Sequence, residues 1–279
     1  MLLRLSMLNP CRLSALLRTR YCGHHVLQFC QLDSTNRLLA EWAKRKLDSD
    51  LRLPEGTVAI ATRQSSGRGQ RGHKWISAPG GLYASVLLYP DIEAKRLLEL
   101  TLAVAWGVAI QLREFRGLDV RLKWPNDLMV AGRKLGGILL QAQLQRGRVR
   151  SLVAGIGLNG HNLTPEIGIS LTDVSTGNID LTAVAADVFA GIERGYECWK
   201  PNGLSGLVPS YQSLMMYCDR SVNLTSTNAR AKGTGTIMGI DSDGQLQVVV
   251  DGQLETFKPG HIHLGYEHKM PTPSAKPTD

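Results

Sequence analysis

Apolar and polar residues change rhythm several times along this chain, and each change marks an element. Val26–Leu32 alternates as a strand and stops at Asp33-Ser34-Thr35-Asn36, where Ser34 or Thr35 offers the oxygen that caps the next helix. In that helix Leu38, Leu39, Trp42 and Ala43 form the i, i+3, i+4 apolar stripe. Thr57–Thr62 and Leu82–Leu88 read as strands on either side of a loop rich in glycine and arginine. From about Ala94 to Phe115 the period becomes helical, and Leu100–Ile110 is so apolar on every side that this helix must be buried. Val120–Trp124, Leu128–Val130, Leu135–Leu144 and Val149–Leu158 follow as four strands, turning at Ala131-Gly132-Arg133 and Gln145-Arg146-Gly147. Leu181–Trp199 is a further amphipathic helix, with a shorter one near Leu214. Strands and helices are interleaved but hairpins dominate the middle. The pattern predicts an α+β domain over residues 25–215, built on a mixed β-sheet flanked by helices.

After Met216 the texture becomes that of short strands: Ser221–Thr225, Gly235–Ile240, Gln245–Val250 and Leu254–Phe257. The turns Asp243-Gly244 and Asp251-Gly252 are strong hairpin signals, so residues 216–267 are expected to form a small SH3-like β-barrel. The tail 268–279, with three prolines, reads as disordered. At the other end, residues 1–24 carry Arg4, Arg12, Arg18 and Arg20 without an acid. Leu2, Leu5, Met7, Leu8, Leu13, Leu16 and Leu17 can share one side of a helix there. That composition reads as a targeting presequence, mitochondrial by preference; an unused upstream extension of a cytoplasmic protein is the alternative.

The bulk properties exclude several classes. In 279 residues, 43% hydrophobic and 20% charged, no apolar run reaches the ~18 residues of a membrane span. The net charge is +8, and four of those charges are the N-terminal arginines. What remains is concentrated in one loop, which suits a small anionic ligand better than a nucleic acid. The five cysteines form no CxxC pair or metal-ligand cluster and read as free thiols, and His24-His25 as surface residues at the domain entry. Nothing in the pattern points to an oligomeric state.

Two stretches carry the chemistry. Gly67-Arg68-Gly69-Gln70-Arg71-Gly72-His73-Lys74-Trp75 satisfies GxGxxG, but a dinucleotide fold needs those glycines to open a helix. Here Ser77, Pro79, Gly80 and Gly81 lead into another strand instead. A P-loop requires Lys at position 73, which is His. What remains is a cationic loop between strands that meets anions with side chains and bare amides. The second stretch, Lys123-Trp124-Pro125-Asn126-Asp127, sets a lysine, an amide and a carboxylate around a Trp-Pro turn.

Together these stretches resemble the nucleotide loop and catalytic strand of the biotin–protein ligases, and the resemblance runs from about Asp33 to Gly265. It implies a catalytic fold like that of the class II aminoacyl-tRNA synthetases and biotin synthetases, with biotin, ATP and Mg²⁺ as ligands. The implied partners are the biotin-accepting domains of biotin-dependent carboxylases. By resemblance, Ser34, Thr35, Asn36, Gln64, Arg68, Gly69, Lys134 and Gly137 meet biotin. Arg68, Gln70, Arg71, Trp75, Asn126, Lys134 and Asn159 meet ATP or the adenylate, with Gly157 on the same strand as Asn159. The catalytic set is Lys134, Arg68, Lys123 and Asp127. Asp127, with Asn126, is expected to hold Mg²⁺, or to orient the acceptor lysine and take its proton, or only to cap the turn.

Three features qualify the resemblance. Gln70 stands where the family commonly has the second arginine of Gly-Arg-Gly-Arg, and Ala78 replaces a frequent proline. No winged-helix module is read ahead of Asp33, so a repressor role is not expected. A lipoate or octanoate ligase would share the fold but would show Arg-Arg-x-Ser-Gly-Gly-Gly, which is missing; a non-catalytic biotin-binding relative is the reading from another class.

Overall fold

The computed structural model describes residues 7–46, 52–226 and 232–264. The chain enters through a short helix, α1 (Pro10–Leu16), and then lays down β1 (Val26–Leu32), α2 (Thr35–Lys46) and β2 (Val58–Gln64). β1 and β2 are parallel, with α2 as the crossover. The glycine-arginine loop leads into β3 (Leu82–Leu88) and a two-residue β4 (Ile92–Glu93). Next come α3 (Leu97–Arg116), β5 (Arg121–Lys123), β6 (Asp127–Val130), β7 (Arg133–Gln145) and β8 (Arg148–Leu158). The main sheet runs β1-β2-β3-β8-β7-β6-β5, with β4 paired off the path to β8, and every pair after the first is antiparallel. The expected mixed sheet is observed.

α4 (Leu171–Val174), α5 (Leu181–Asn202) and α6 (Val208–Leu214) complete this domain. α3 and α5 supply the main core on one face of the sheet, where Leu102, Val104, Leu112, Val188 and Phe189 meet Leu82, Ala84, Val86 and Leu88 of β3. On the other face Leu39, Ala40 and Ala43 of α2 pack against Ala59, Leu87 and Val153. β3 is covered on both sides, which explains why Leu82–Leu88 is buried along its whole length and shows no alternation.

Residues 7–24, read from sequence as part of a presequence, pack against the domain. Asn9 caps α1 by accepting from the Arg12 N–H, Pro10 fits the first turn, and Leu13 is 1% exposed. The Glu193 carboxylate of α5 accepts the backbone N–H groups of Arg20, Tyr21 and Cys22 at 2.7–3.0 Å. The buried Asp187 is paired with Arg18 at 2.5 Å and also with Arg116. Arg12, Arg18 and Arg20 therefore have partners in the fold, and the leucines that suggested an amphipathic helix include two that are buried, Leu8 and Leu13.

The C-terminal sheet also departs from expectation. β9 (Ser221–Ser226), β10 (Lys232–Ile240), β11 (Leu246–Val250), β12 (Gln253–Phe257) and β13 (Ile262–Leu264) form an antiparallel sheet in the order β12-β11-β10-β9-β13. Among the described residues no pairing joins β12 to β13, so the sheet is open there and the expected SH3-like barrel is not confirmed. The tail 268–279 lies outside the described residues.

Candidate active site

All fifteen residues named for the site from sequence line one cavity of about 490 Å³. Its inner end is set by α2 and the strands beneath it. The helix start places Ser34, Thr35 and Asn36 at 2–4% exposure, and β2 ends at Gln64 beside them. Gln64 Oε1 accepts from the Thr35 N–H at 2.8 Å, and its Nε2 donates to Ser77 Oγ at 2.9 Å. Asn36 Nδ2 donates to the Leu139 carbonyl at 3.2 Å, so its Oδ1 faces Ser85 and receives that hydroxyl at 2.6 Å. The Ser85 proton is then committed, and Thr35 supplies the proton for the 2.7 Å contact between the two hydroxyls. The result is a continuous polar chain, Ser77–Gln64–Thr35–Ser85–Asn36, in otherwise apolar surroundings. Gly155 is required beneath it, since a Cβ there would lie 2.0 Å from Asn36 Oδ1.

The outer end is the loop Gly67–Trp75, which folds back on itself. Gly69 N–H donates to the His73 carbonyl, Trp75 N–H to the Gly67 carbonyl, and Gln70–Gly72 make the turn. Arg68, Arg71, His73 and Lys74 are exposed on it. No α-helix follows, so anions meet side chains rather than a helix N-terminus. Trp75 lies flat on Gly157, where a Cβ would come within 2.5 Å of the indole.

Between the two ends sits a charged cluster. Lys123 and Asp127 are opposite each other where β5 meets β6, and Lys134 reaches Asp127 Oδ1 with Nζ at 2.6 Å. The backbone of Lys134 is held from both sides: its N–H donates to the Ile167 carbonyl, and its carbonyl accepts from Ile169 N–H and Asn159 Nδ2. Lys123 is 5% exposed, and desolvation brings its pKa down to about 8, although Asp127 opposes the shift. Asn126 and Asn159 turn their amides to the protein, Asn126 onto the Ile138 carbonyl and Asn159 onto those of Lys134 and Ile169. Both hold the site in shape.

The expected Mg²⁺ role of Asp127 does not fit this donor set. The carboxylate is taken by Lys134 and faces Lys123, the Asn126 amide braces the turn, and no cluster of three or more acidic, His or Cys side chains exists among the described residues. Sequence reasoning missed Ser77 and Ser85 of the polar chain, the segment Pro165–Gly168, and Ile262 and Leu264 of β13, all but the two serines lining the cavity. Ser85 did have a signal, a small hydroxyl inside the apolar run Leu82–Leu88. For β13 there was none, because its place in the site depends on how the second sheet docks.

A model of the biotin/lipoate A/B protein ligase family matches residues 28–159, a span ending at Asn159. The bifunctional ligase/repressor BirA of Escherichia coli (strain K12) is 30% identical over 240 residues, covering 84% of this chain and 72% of that protein. The chain belongs to the biotin–protein ligase family. The Bacillus subtilis (strain 168) bifunctional ligase/repressor BirA is 28% identical over 89% of this chain and 77% of its own length. The biotin protein ligase from Aquifex aeolicus, solved in complex with biotin and ATP, superposes with a TM-score of 0.72 at 27% identity, covering 88% of this chain and 100% of that one. Among the described residues, no helix is long and apolar enough to cross a membrane.

Proposed function

We propose that this member joins the carboxylate of biotin to the α-phosphate of ATP, releasing pyrophosphate, and then passes the biotinyl group from the adenylate to a lysine amine of a carboxylase biotin domain, releasing AMP. The observation that carries this reading is the meeting of the buried polar chain and the cationic loop in one cavity, with the Lys123–Asp127–Lys134 cluster at the junction. A ureido ring is polar and must be buried, and each unmatched hydrogen bond there would cost ~1–3 kcal/mol. Thr35, Gln64, Ser34 and Asn36 meet that need, and Gly137 leaves room beside Lys134. At the junction negative charge grows on the phosphoryl oxygens as the anhydride forms. Lys134, Lys123 and Arg68 offset it, the first already positioned by its backbone. Gly69, Gln70, Arg71 and Trp75 enclose the adenylate from the loop side. In the second step the acceptor ammonium must lose a proton before its nitrogen attacks, and Asp127 is the carboxylate at hand to accept it. Any Mg²⁺ would arrive with the triphosphate, since among the described residues lining the cavity Asp127 is the one carboxylate, and Lys134 shares it.

The N-terminus bears on the compartment. With Arg12, Arg18 and Arg20 paired to Asp180, Asp187 and Glu197, the mitochondrial reading loses its basis and the cytoplasmic alternative is preferred. A reporter fused behind residues 1–24 should stay diffuse in the cytosol.

Exchange of labelled pyrophosphate into ATP tests the activity. Exchange that depends on biotin is expected. Dependence on lipoate or octanoate instead would make the chain a ligase for those acids, and no exchange with any of them would make it a binding protein.

A further inference from the structure

The C-terminal sheet touches both halves of the site, at two separate turns. At the first, the Trp124 indole N–H, buried in the Trp-Pro turn, donates to the Gly244 carbonyl at 2.9 Å. The chain leading into the sheet is tied to the same strand, with Met216 N–H donating to the Leu122 carbonyl at 2.8 Å. The Asp241–Gln245 turn sits in a socket of the catalytic domain, where a Cβ on Gly244 would lie 2.6 Å from Leu102. The sheet is thereby fixed to the β5–β6 hairpin that bears Lys123 and Asp127.

The second turn, Lys258–His261, lies under the tip of the phosphate loop. Gly260 has φ +101°, and a Cβ there would be 3.5 Å from Nε and Cζ of Arg71. Arg71 itself is in the left-handed region, at φ 53° and ψ 35°. For a residue other than glycine that conformation is costly and persists only where surroundings offset it. Immediately after this turn Ile262, 3% exposed, and Leu264 enter the cavity wall.

We infer that the Lys258–His261 turn is a catch for the phosphate loop: the Arg71 guanidinium rests on Gly260 and holds the loop closed over the bound adenylate, against the fixed wall of Ile262 and Leu264. Arg71 is then a positioning residue that acts through the loop, and the C-terminal sheet is part of the active site. The inference rests on the ligase reading only for the identity of what is retained. The catch itself exists without ligand.

The full chain carrying Gly260→Val tests it, because the larger side chain pushes the guanidinium off the turn. Two readings are made. In ligand-free protein, tryptic cleavage after Arg68 should be about tenfold faster than in the natural protein, equivalent to the loss of about 1.4 kcal/mol of local stability. In the loaded enzyme, biotinyl-AMP should dissociate about tenfold faster and the KM for ATP should rise, while kcat for pyrophosphate exchange changes little. If Gly260→Val disturbs the sheet, shown by a lowered melting temperature, Arg71→Gln leaves the sheet intact and is read at the same Arg68 bond. Arg71→Lys, which keeps the charge but not the planar fork, should restore protection only partly. Natural rates of cleavage after Arg68 in a well-folded variant overturn the catch, whatever the exchange assay shows. Fast cleavage without biotin-dependent exchange leaves the catch standing and removes the ligase reading.

Discussion

The two ends of the cavity are built on opposite plans. At the inner end Ser34, Thr35 and Asn36 are buried, and each amide or hydroxyl from Ser77 to Asn36 is held by a neighbour. At the outer end Arg68, Arg71, His73 and Lys74 are exposed, and the loop's regular hydrogen bonds are internal to its own hairpin. The difference follows from what each end must recognise. A neutral, buried group is read by short-range hydrogen bonds that fail with small displacements, so the partners must be fixed in advance. A polyphosphate is read by charge, whose attraction falls off slowly with distance, so the cations can sit on a segment that opens and shuts. One plan favours order before binding; the other favours access.

The comparison is challenged most severely at the junction. Lys134 belongs to both ends, so Lys134→Ala should lower biotin-dependent pyrophosphate exchange by ~10²–10³-fold with little change in melting temperature. A loss confined to ATP affinity would place Lys134 with the loop alone. The inner end is probed by Gln64→Leu, which strands the Thr35 N–H and removes the donor to the Ser77 hydroxyl. The KM for biotin should rise about 10–100-fold, equivalent to ~1–3 kcal/mol, while that for ATP stays near its natural value. Equal changes in both constants would mean the two ends are not separable.

Titration sharpens the contrast. Burial of Lys123 depresses its pKa to about 8, so in the free enzyme its charge is present below that pH and lost above it. The value of kcat/KM for ATP should therefore fall by up to about tenfold per unit above pH 8, and the affinity for biotin alone should not. Lys123→Arg, permanently charged, should abolish this limb. The smallest effect is expected at Gln70. Supplying the forked cation there, Gln70→Arg should slow biotinyl-AMP dissociation about two- to fivefold and reduce stray biotinylation of bystander lysines. Identical dissociation in stopped-flow measurements would show that Arg71 or Lys74 already serves.

The same division governs what could be read from the amino acids alone. Strand and helix positions in the catalytic domain were legible because alternation and helical periods are local, and the loop and the Lys123–Asp127 turn were legible because their residues are contiguous. Ser77 and Ser85 were harder, since a buried hydroxyl earns its role only from a partner on another strand. The packing of residues 7–24 was not legible because an arginine paired with a buried Asp187 and one bound for an import receptor look alike in composition. Closure of the second sheet was not legible for a related reason: hairpin turns specify neighbours, but closure depends on whether the first and last strands meet.

Glu193 has a practical consequence for anyone handling this protein. The family model's match begins at residue 28, yet the carboxylate of Glu193 already gathers three amides from residues 20–22. A fragment trimmed to the similarity boundary would leave that acid under the surface with no donors, open the socket of Leu13 and release Asp187 from Arg18. An affinity handle or fusion partner therefore belongs ahead of Met7. A library of shortened forms should show solubility collapsing as the cut passes from Asn9 to Cys22, well before any residue of the cavity is touched.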